Sequence, residues 1–374
     1  MKTLSTQDLK KVGILLAGSS GSKFWPLSNR LVPEQFVCLF DDTTLFQKIY
    51  KLVSKQIDNE NIYAVGSERF KQLVMEQSPL QDSNYFIEPM LRQTAPALGL
   101  ALTLIDDHYS DDTLICVFPS DQMINNYEEF NSTLEVAYQA AFDLDALVTI
   151  GIEPESPAPY FGYIQYCPDI NDKRNSGITK ELFDGGLRKS INFVEKPDEE
   201  TAKRFINTGG FVWNSGILIA KKSVLIKAYA EFLDYHYEKF QQIKPLYKTE
   251  NYAAELQNLY KTFNKISIDY GILEYATNIY VIKSTFSWID YNNWNELHRM
   301  LRKDAMDNVH LGSITSIDTY DSLVYSPEKH VAIMGCEDIV VINTDTALLV
   351  CKKSESYKIN NLVSFLRTKN IPIY

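Results

Sequence analysis

The sequence predicts an α/β protein that has a mostly parallel sheet with helices on both faces and a small, separate β-rich region towards its C-terminal end. Between Val12 and Ile152, short apolar runs alternate with segments of helical period, which is typical of a parallel sheet covered by helices. The run 114–118 is apolar at every position, as expected of a central strand buried on both sides. After about residue 308, helical patterns give way to short β-branched runs.

Each predicted element follows from its pattern of apolar residues. The strands of the α/β part are predicted at 12–17, 62–65, 85–87, 113–118, 147–152, 160–166, 187–194 and 216–220. Its helices are predicted at 44–57, 68–77, 94–109, 127–142, 224–243 and 252–263. The C-terminal region is predicted to contain strands at 313–317, 331–334 and 339–342 and a helix at 357–367. Because ligands of open α/β sheets bind at the carboxyl ends of the strands, residues that follow strands are the first candidates for a site.

The composition narrows the classes of function. A chain of 374 residues is long enough for two domains. The net charge of -11 argues against a nucleic-acid partner, because such proteins need a basic face. The N-terminal segment lacks the apolar core of a signal peptide, and the longest apolar run, 95–105, is too short to span a membrane. Five scattered cysteines indicate buried thiols in a reducing compartment, so we expect a cytoplasmic protein with no membrane partner.

The loop after the first strand is a candidate phosphate site. Gly18-Ser-Ser-Gly-Ser22 can expose consecutive backbone N–H groups to phosphate oxygens, since glycine permits close approach and positive φ. The alternative is an ordinary flexible turn between a strand and a helix. The loop matches neither the GxxxxGK[ST] phosphate loop nor the dinucleotide GxGxxG pattern, so the loop alone leaves both interpretations open.

Two aspartates are candidate metal ligands. Asp121 lies at the carboxyl end of the strand 113–118, and Asp290 lies in the segment 288–294. Their carboxylates suit Mg²⁺, a hard cation that lets phosphates and water complete its shell. An aspartate after a strand is also a common turn or cap residue, so a structural role is the alternative for each.

Polar residues next to two further strands are candidate sugar-phosphate contacts. Glu195 and Lys196 follow an apolar strand and suit a sugar hydroxyl and a phosphate, respectively, whereas a solvated strand end is the alternative. Trp213-Asn-Ser-Gly216 offers an amide before a strand, although Gly/Asn turns are common. The five histidines are dispersed outside these segments, which argues against a Ser/His/Asp triad.

Taken in order, these segments resemble the sugar nucleotidyltransferases, and most closely the bacterial mannose-1-phosphate guanylyltransferases. Residues 16–29 and 33–36 are similar to the family patterns LAGGxGTRLWPLSR and PKQF, 88–97 to EPxxRNTAPA, and 119–122 to PSDH. Residues 193–197 and 213–216 are identical to FVEKP and WNSG, while 160–164, 267–274 and 288–294 are similar to GYGYI, SIDYAxxE and WxDVGSW. The ordered matches span nearly the whole chain.

The resemblance implies a Rossmann-like nucleotidyltransferase domain with a mixed, mostly parallel sheet over residues 1–298, followed by a short left-handed β-helix-like domain over 299–374. It implies that a sugar 1-phosphate oxygen attacks the α-phosphate of GTP in line and that pyrophosphate leaves, with Mg²⁺ on Asp121 and Asp290. The product is GDP-mannose, used in polysaccharide biosynthesis, and a homodimer through the C-terminal region is expected. Because bifunctional relatives continue into a phosphomannose isomerase domain where this sequence ends, that second activity is expected to be absent.

The resemblance also implies the residues of the site. Lys23, Asp121 and Asp290 are expected to be catalytic. The expected nucleotide-binding residues are Leu16, Ala17, Gly18, Ser19, Gly21, Ser22, Gln93, Ala95, Pro96 and Ser120. The expected sugar-phosphate-binding residues are Gly162, Glu195, Lys196, Asn214 and Asp269, with Lys196 on the phosphate.

Three residues depart from the family pattern inside its signature. Ser19 replaces a glycine, and Lys23 replaces an arginine. Lysine keeps the positive charge but cannot form the planar, bidentate hydrogen bonds that an arginine makes to phosphate. Glu34 replaces a lysine. The lost lysine contact would have contributed roughly 1.5–3 kcal/mol to phosphate binding, and a negative charge facing the phosphate adds a further repulsive cost. A Glu34 that faces the phosphates is therefore expected to slow turnover about a thousandfold.

Two hypotheses follow from this pattern. The first is a working GTP:mannose-1-phosphate guanylyltransferase with a divergent loop, which the two aspartates and the sugar-phosphate residues favour. The second is a catalytically impaired relative that binds a sugar nucleotide as a regulatory or structural subunit. In that case, Glu34→Lys combined with Lys23→Arg is expected to raise activity or nucleotide affinity. A third possibility keeps the chemistry but uses another sugar 1-phosphate or another base.

Overall fold

The chain is divided into two units, each with its own hydrophobic core. A computed structural model describes residues 6–19, 21–39 and 41–371. The first unit is formed by the described residues of Met1–Gly18, Ile49–Ser120 and Ile124–Trp288, and the second by those of Ser19–Lys48, Asp121–Met123 and Ile289–Tyr374. Short segments of the second unit are therefore inserted in the sequence of the first.

The elements alternate between strands and helices along most of the chain. The strands are β1 (Lys11–Leu16), β2 (Ile62–Ser67), β3 (Tyr85–Glu88), β4 (Leu114–Pro119), β5 (Gln122–Ile124), β6 (Leu147–Ile152), β7 (Tyr163–Tyr166), β8 (Leu187–Val194), β9 (Phe211–Lys221), β10 (Ile279–Lys283), β11 (Trp288–Asp290), β12 (Val309–Ile317), β13 (Leu323–Met334), β14 (Ile339–Asn343) and β15 (Leu348–Lys352). The helices are α1 (Leu45–Val53), α2 (Lys71–Gln77), α3 (Thr94–Ile105), α4 (Tyr127–Asp143), α5 (Lys180–Asp184), α6 (Glu199–Thr208), α7 (Lys222–Phe232), α8 (Asp234–Ile243), α9 (Tyr252–Thr262), α10 (Trp294–Met300) and α11 (Ile359–Thr368).

The first unit contains a nine-stranded mixed sheet in the order β3-β2-β1-β4-β9-β6-β10-β8-β7. The four strands β3, β2, β1 and β4 are parallel, and so is the pair β6 and β10. The other pairings are antiparallel. The prediction of a mixed sheet is confirmed, but the sheet is not mostly parallel, because four of these strand pairings are parallel and five are antiparallel. The parallel part is concentrated in the N-terminal strands, where helices separate successive strands.

Helix α3 forms the centre of the core of the first unit. Every residue from Ala95 to Ile105 is buried, as expected of a helix that is apolar on all sides. Side chains of β1, β4 and helices α7 to α9 pack in the same cluster. This rigid packing fixes the start of α3, where the sequence predicts part of a nucleotide site.

Some predicted elements of the first unit are wrong in detail. The strand predicted at 160–166 begins at Tyr163, and the helix predicted at 94–109 ends at Ile105. The helix predicted at 224–243 is divided into α7 and α8 at Leu233, whose φ of -132° and ψ of 46° lie outside the helical region. The strand predicted at 216–220 begins earlier, at Phe211. The segment 213–216 therefore lies inside β9 and not before a strand. The pattern missed this part of the strand because polar residues of the segment interrupt a run of buried apolar residues.

The second unit contains a four-stranded sheet in the order β12-β13-β14-β15. The first three strands are parallel and follow one another in sequence, so that Val309 pairs with Leu323 and Leu323 with Val340. These side chains are buried in one core, together with Trp294 and Phe24, whose rings meet edge to face with centroids 5.1 Å apart. Stacked parallel strands of this kind confirm the expected β-helix-like region.

Among the residues that the structure describes, no helix combines the length and apolar character that a membrane span requires.

Candidate active site

The second unit brings together the three residues that are expected to be catalytic. Lys23 Nζ donates a hydrogen bond to Asp121 Oδ2 at 2.8 Å and lies 3.5 Å from Asp290 Oδ1. Asp121 follows β4 closely, and Asp290 is the last residue of β11. The three side chains are 24, 28 and 19% exposed. Two aspartates that are distant in sequence therefore share one ammonium group that solvent can reach.

The charges of this cluster shift its pKa values in different directions. Burial opposes the charge of Lys23, but Asp121, Asp290 and Glu34 outweigh it, so the pKa of Lys23 lies well above its usual value. Burial also opposes ionisation of Asp121, yet Lys23 brings the pKa of that carboxyl below its ordinary value. Burial raises the pKa of Asp290 to about 6, although Lys23 opposes the shift. With both aspartates ionised, the three groups carry surplus negative charge.

Glu34 is buried in the second unit, at 1% exposure. Its Oε1 accepts a hydrogen bond from Ser19 Oγ at 2.8 Å. Burial raises the pKa of Glu34, against the attraction of Lys23. The three departures from the family pattern are therefore neighbours: two of them are hydrogen-bonded and the third affects the pKa of Glu34. Ser20, which belongs to the same loop, lies outside the described residues.

In the first unit, expected nucleotide residues follow the neighbouring parallel strands β1 and β4. Ser120 Oγ donates a hydrogen bond to the carbonyl of Leu16 at 2.6 Å, which ties the two strand ends together. Ala17 is buried and Gly18 is exposed. A Cβ at Gly18 would lie 3.7 Å from Glu88 Oε2. The loop residues therefore begin beside a buried carboxyl group.

Glu88 is the last residue of β3 and is 3% exposed. Its Oε1 has no hydrogen-bond partner among the described residues. Burial raises the pKa of Glu88 to about 8, although a hydrogen bond with Tyr260 opposes the shift. An unpaired buried polar atom is costly and therefore rare, so Glu88 is a candidate contact for a ligand that supplies hydrogen-bond donors.

Gln93, Ala95 and Pro96 lie at the start of α3. The carbonyl of Ala95 accepts a hydrogen bond from Tyr229 Oη at 2.7 Å, and that of Pro96 accepts one from Tyr260 Oη at 3.1 Å. Gln93 has a φ of 69° and an exposed side chain. The two buried tyrosines thus fix the turn, and Gln93 presents its side chain to solvent.

The expected sugar-phosphate residues also converge in the first unit. Glu195 Oε1 lies 3.0 Å from Lys196 Nζ, and the two side chains are 7 and 55% exposed. A Cβ at Gly162 would lie 2.5 Å from Glu195 Oε2, so glycine is required there for the carboxyl to keep its place. Burial, and then the charge of Asp269, raise the pKa of Glu195 to about 6.

Asn214 connects the members of this sugar-phosphate cluster. Its Nδ2 donates a hydrogen bond to Asp269 Oδ1 at 2.8 Å, and its Oδ1 accepts one from Thr149 Oγ1 at 2.7 Å. Its backbone N–H donates to the carbonyl of Gly162 at 2.8 Å. Burial raises the pKa of Asp269. Because both ends of its amide are bonded, Asn214 is fixed in one orientation.

Three residues of these clusters have no role in the expectations from sequence, namely Glu88, Thr149 and Glu274. Glu274 Oε1 accepts a hydrogen bond from the backbone N–H of Glu195 at 3.2 Å. Thr149 lies inside β6 and is marked by no sequence pattern. Glu88 lies at the carboxyl end of a parallel strand, so the rule that identifies Asp121 could also have identified Glu88.

Asp121 and Asp290 fit a divalent cation that prefers oxygen ligands. Their carboxylates lie within 3.5 Å of one ammonium nitrogen, which shows that a positive charge is stabilised between them. In the described part of the chain, no group of three or more His, Cys, Asp and Glu residues is arranged as a metal site. A bound Mg²⁺ would therefore complete its shell with substrate oxygens and water, as it commonly does at phosphate sites.

Comparison with known proteins gives matches over most of the chain. The family model described as Nucleotidyl transferase matches residues 12–306, and one described as MannoseP isomerase/GMP-like beta-helix domain matches 312–366. A mannose-1-phosphate guanylyltransferase of Sinorhizobium fredii is 30% identical over 364 residues, which are 96% of this chain and 68% of that protein. The alginate biosynthesis protein AlgA of Pseudomonas aeruginosa is 29% identical over 363 residues, 95% of this chain and 72% of that one.

A solved structure is similar over nearly the same length. The crystal structure from Thermus thermophilus that is described as a mannose-1-phosphate geranyltransferase has a TM-score of 0.82 and 25% identity, and covers 96% of this chain and 100% of that chain. The sheet, the charged clusters and these matches define a nucleotidyltransferase. More particularly, the chain belongs to the mannose-1-phosphate guanylyltransferase family within the nucleotidyl transferases. The resemblance and the fold class predicted from the sequence are confirmed.

Raising the pH is predicted to destabilise the wild-type protein relative to Glu88→Gln. The pKa of Glu88 is about 8 in the folded chain and ordinary in the unfolded chain, so the folded state binds this proton more tightly and loses stability as pH rises between those values. The amide of the variant does not titrate. We expect the free energy of unfolding of the wild type, relative to the variant, to fall by roughly 3 kcal/mol between about pH 5 and pH 8, measured by urea denaturation.

Glu238→Gln, at an exposed position of α8, is the control and should follow the wild type at both pH values. A constant difference between wild type and Glu88→Gln across this range would contradict the prediction.

Proposed function

We propose that the chain transfers the guanylyl group of GTP to mannose 1-phosphate and releases pyrophosphate. The cluster of Lys23, Asp121 and Asp290 carries the proposal, because it combines a fixed positive charge with two carboxylates that suit a metal ion. An oxygen of the sugar 1-phosphate attacks the α-phosphorus of GTP, and the bond from that phosphorus to the pyrophosphate oxygen breaks. The product is GDP-mannose, and the AlgA relative supports its use in polysaccharide synthesis.

The nucleotide is bound after β1 and β4 and at the start of α3. The residues proposed for this role are Leu16, Ala17, Gly18, Ser19, Gly21, Ser22, Gln93, Ala95, Pro96 and Ser120. Lys23 contributes positive charge towards the phosphate oxygens. Although burial opposes its charge, the surrounding carboxylates keep the pKa of Lys23 well above its usual value, so Lys23 stays protonated and acts through its charge and not as a base.

Glu88 supports guanine as the base. The guanine edge offers two adjacent donors, N1–H and the N2 amino group, and Glu88 is a buried carboxyl with an oxygen that lacks a partner among the described residues. Adenine offers one donor, its N6 amino group, beside an acceptor at N1, so an ionised Glu88 would accept one hydrogen bond from adenine where it can accept two from guanine. A site with a buried polar group discriminates strongly against a ligand that leaves this group without a partner.

The sugar 1-phosphate is bound by Gly162, Glu195, Lys196, Asn214 and Asp269. Lys196 is the most exposed of the charged groups there and contacts the phosphate, while Glu195 accepts hydrogen bonds from sugar hydroxyls. The side chain of Asn214 is already hydrogen-bonded to two other side chains. It therefore loses little conformational freedom when the sugar binds.

We propose Mg²⁺ as the cofactor, held by Asp121 and Asp290. When bound, it supplies positive charge that neutralises the phosphate oxygens of the reacting group. The transferase domain is proposed to span 1–298 and the β-helix-like domain 299–374. We also propose that the enzyme works in the cytoplasm, because its five cysteines are free thiols, which suits a reducing compartment.

Pyrophosphate release from GTP, mannose 1-phosphate and Mg²⁺ tests the proposed reaction. We expect turnover that is faster with GTP than with ATP, CTP or UTP. Asp121→Asn and Asp290→Asn are each expected to lower kcat at least about a hundredfold, because each removes a proposed carboxylate ligand of the Mg²⁺ whose charge stabilises the reacting phosphates. Lys196→Ala is expected to raise KM for the sugar phosphate more than KM for GTP.

Glu337→Gln, an exposed carboxylate of the second unit, is the matched control and should keep the wild-type rate. No release above a blank without enzyme, over several nucleoside triphosphates and sugar phosphates, would refute the proposed reaction and favour a binding subunit.

A homodimer through the C-terminal region is proposed from exposed apolar side chains of the second unit. Ile317 and Met334 pair in the β12–β13 ladder and are 53 and 72% exposed. Leu348 and Val350 lie on one face of β15 and are also largely exposed. Neighbouring exposed apolar side chains commonly mark an association surface.

The double variant Ile317→Glu/Met334→Glu is expected to be a monomer where the wild type is a dimer, because two charges would be buried at the interface. Light scattering after size-exclusion chromatography at micromolar concentration measures the mass. Ile191→Glu, at an exposed isoleucine of the first unit, should remain dimeric. A monomeric wild type, or an unchanged mass of the double variant, would contradict the proposal.

A further inference from the structure

The backbone on both sides of Lys23 is bound to serine hydroxyls. Gly21 has a φ of 71°, its N–H donates to Ser19 Oγ at 3.3 Å, and its carbonyl accepts from Ser28 Oγ at 2.9 Å. Ser28 Oγ also accepts from the N–H of Phe24 at 3.1 Å. The path of the chain into and out of Lys23 is therefore set by side chains of the same segment.

Ser19 is in turn held by Glu34. Ser19 Oγ donates to Glu34 Oε1 at 2.8 Å, so the hydroxyl both accepts from Gly21 and donates to a carboxyl. Glu34 begins a short turn, Glu34–Phe36, in which every residue is buried. Its other oxygen, Oε2, is buried and has no partner among the described residues. Glu34 thus acts as an internal acceptor at a fixed place.

We propose that Ser19 and Glu34 are positioning residues whose hydrogen bond fixes the turn at Gly21 and so holds Lys23 between Asp121 and Asp290. The serine at position 19 and the glutamate at position 34, which depart from the glycine and the lysine of the family pattern, then depend on each other. A lysine at position 34 offers Ser19 no acceptor, and a glycine at position 19 leaves the buried carboxyl without its donor. The inference rests on the proposed function only for its effect on turnover.

Amide hydrogen exchange tests this hydrogen bond without any turnover. Ser19→Ala and Glu34→Ala are each expected to speed exchange at the amides of Gly21 to Phe24 by about tenfold, because the turn loses its support. Glu34→Gln keeps an oxygen that accepts from Ser19 and should exchange as the wild type does. Ser132→Ala, on the exposed side of α4, is the control.

A double-mutant cycle in kcat/KM for GTP tests the effect on the reaction. Each single alanine variant is expected to lose about tenfold, and Ser19→Ala/Glu34→Ala should lose no more than Ser19→Ala alone, because Glu34 supports the turn only through Ser19. Glu34→Gln should stay within about threefold of the wild type. Glu34→Lys should lose more than tenfold, and the added change Ser19→Gly should recover part of the loss.

Independent effects of the two alanine variants, which multiply to about a hundredfold, would overturn the proposal. So would a Glu34→Gln variant that exchanges and turns over like Glu34→Ala, because the charge and not the hydrogen bond would then be what matters. If the wild type has no turnover with GTP and mannose 1-phosphate, the proposed function is refuted. The positioning role is refuted separately, by amide exchange that is unchanged in Ser19→Ala and Glu34→Ala.

Discussion

The attraction of one ammonium group for two carboxylates is the constraint on which the catalytic part of the second unit depends. Lys23 comes from the loop after β1, Asp121 from the end of β4, and Asp290 from β11. Carboxylates brought this close repel one another unless a positive charge lies between them. Lys23 supplies that charge. Because two carboxylates and one ammonium group still carry a net negative charge, the cluster can also attract a metal ion, which in turn can bind phosphate oxygens.

Sequence patterns predict what depends on local order along the chain. The parallel strands of the first unit and the end of β4 before Asp121 follow from apolar periodicity. β-branched runs predict strands after residue 308, whereas their β-helix-like stacking is implied only by the family resemblance. The division at Leu233 does not follow from periodicity, because both halves keep a helical period and only the backbone angles of one residue differ. The extent of β9 is hidden for the opposite reason, since polar residues interrupt its apolar pattern.

The candidate site likewise contains residues that sequence motifs predict and residues that only the structure explains. Glu195, Lys196 and Asn214 are predicted from the motifs 193–197 and 213–216, of which the first lies at the end of β8 and the second inside β9. Glu34 could not be interpreted from its type alone. As a charge in a phosphate loop it would be harmful, but in the structure it is buried against Ser19. The effect of a substitution thus depends on the neighbour that contacts it, and that neighbour is distant in sequence.

Binding of Mn²⁺ in the absence of nucleotide, followed by electron paramagnetic resonance, tests the central interaction most directly. Lys23→Met frees both carboxylates from their ammonium partner, so we expect it to bind Mn²⁺ at least severalfold more tightly than the wild type. Asp290→Asn should bind the ion more weakly. An affinity of Lys23→Met that equals or falls below that of the wild type would contradict the placement of Lys23 between the two metal-binding aspartates.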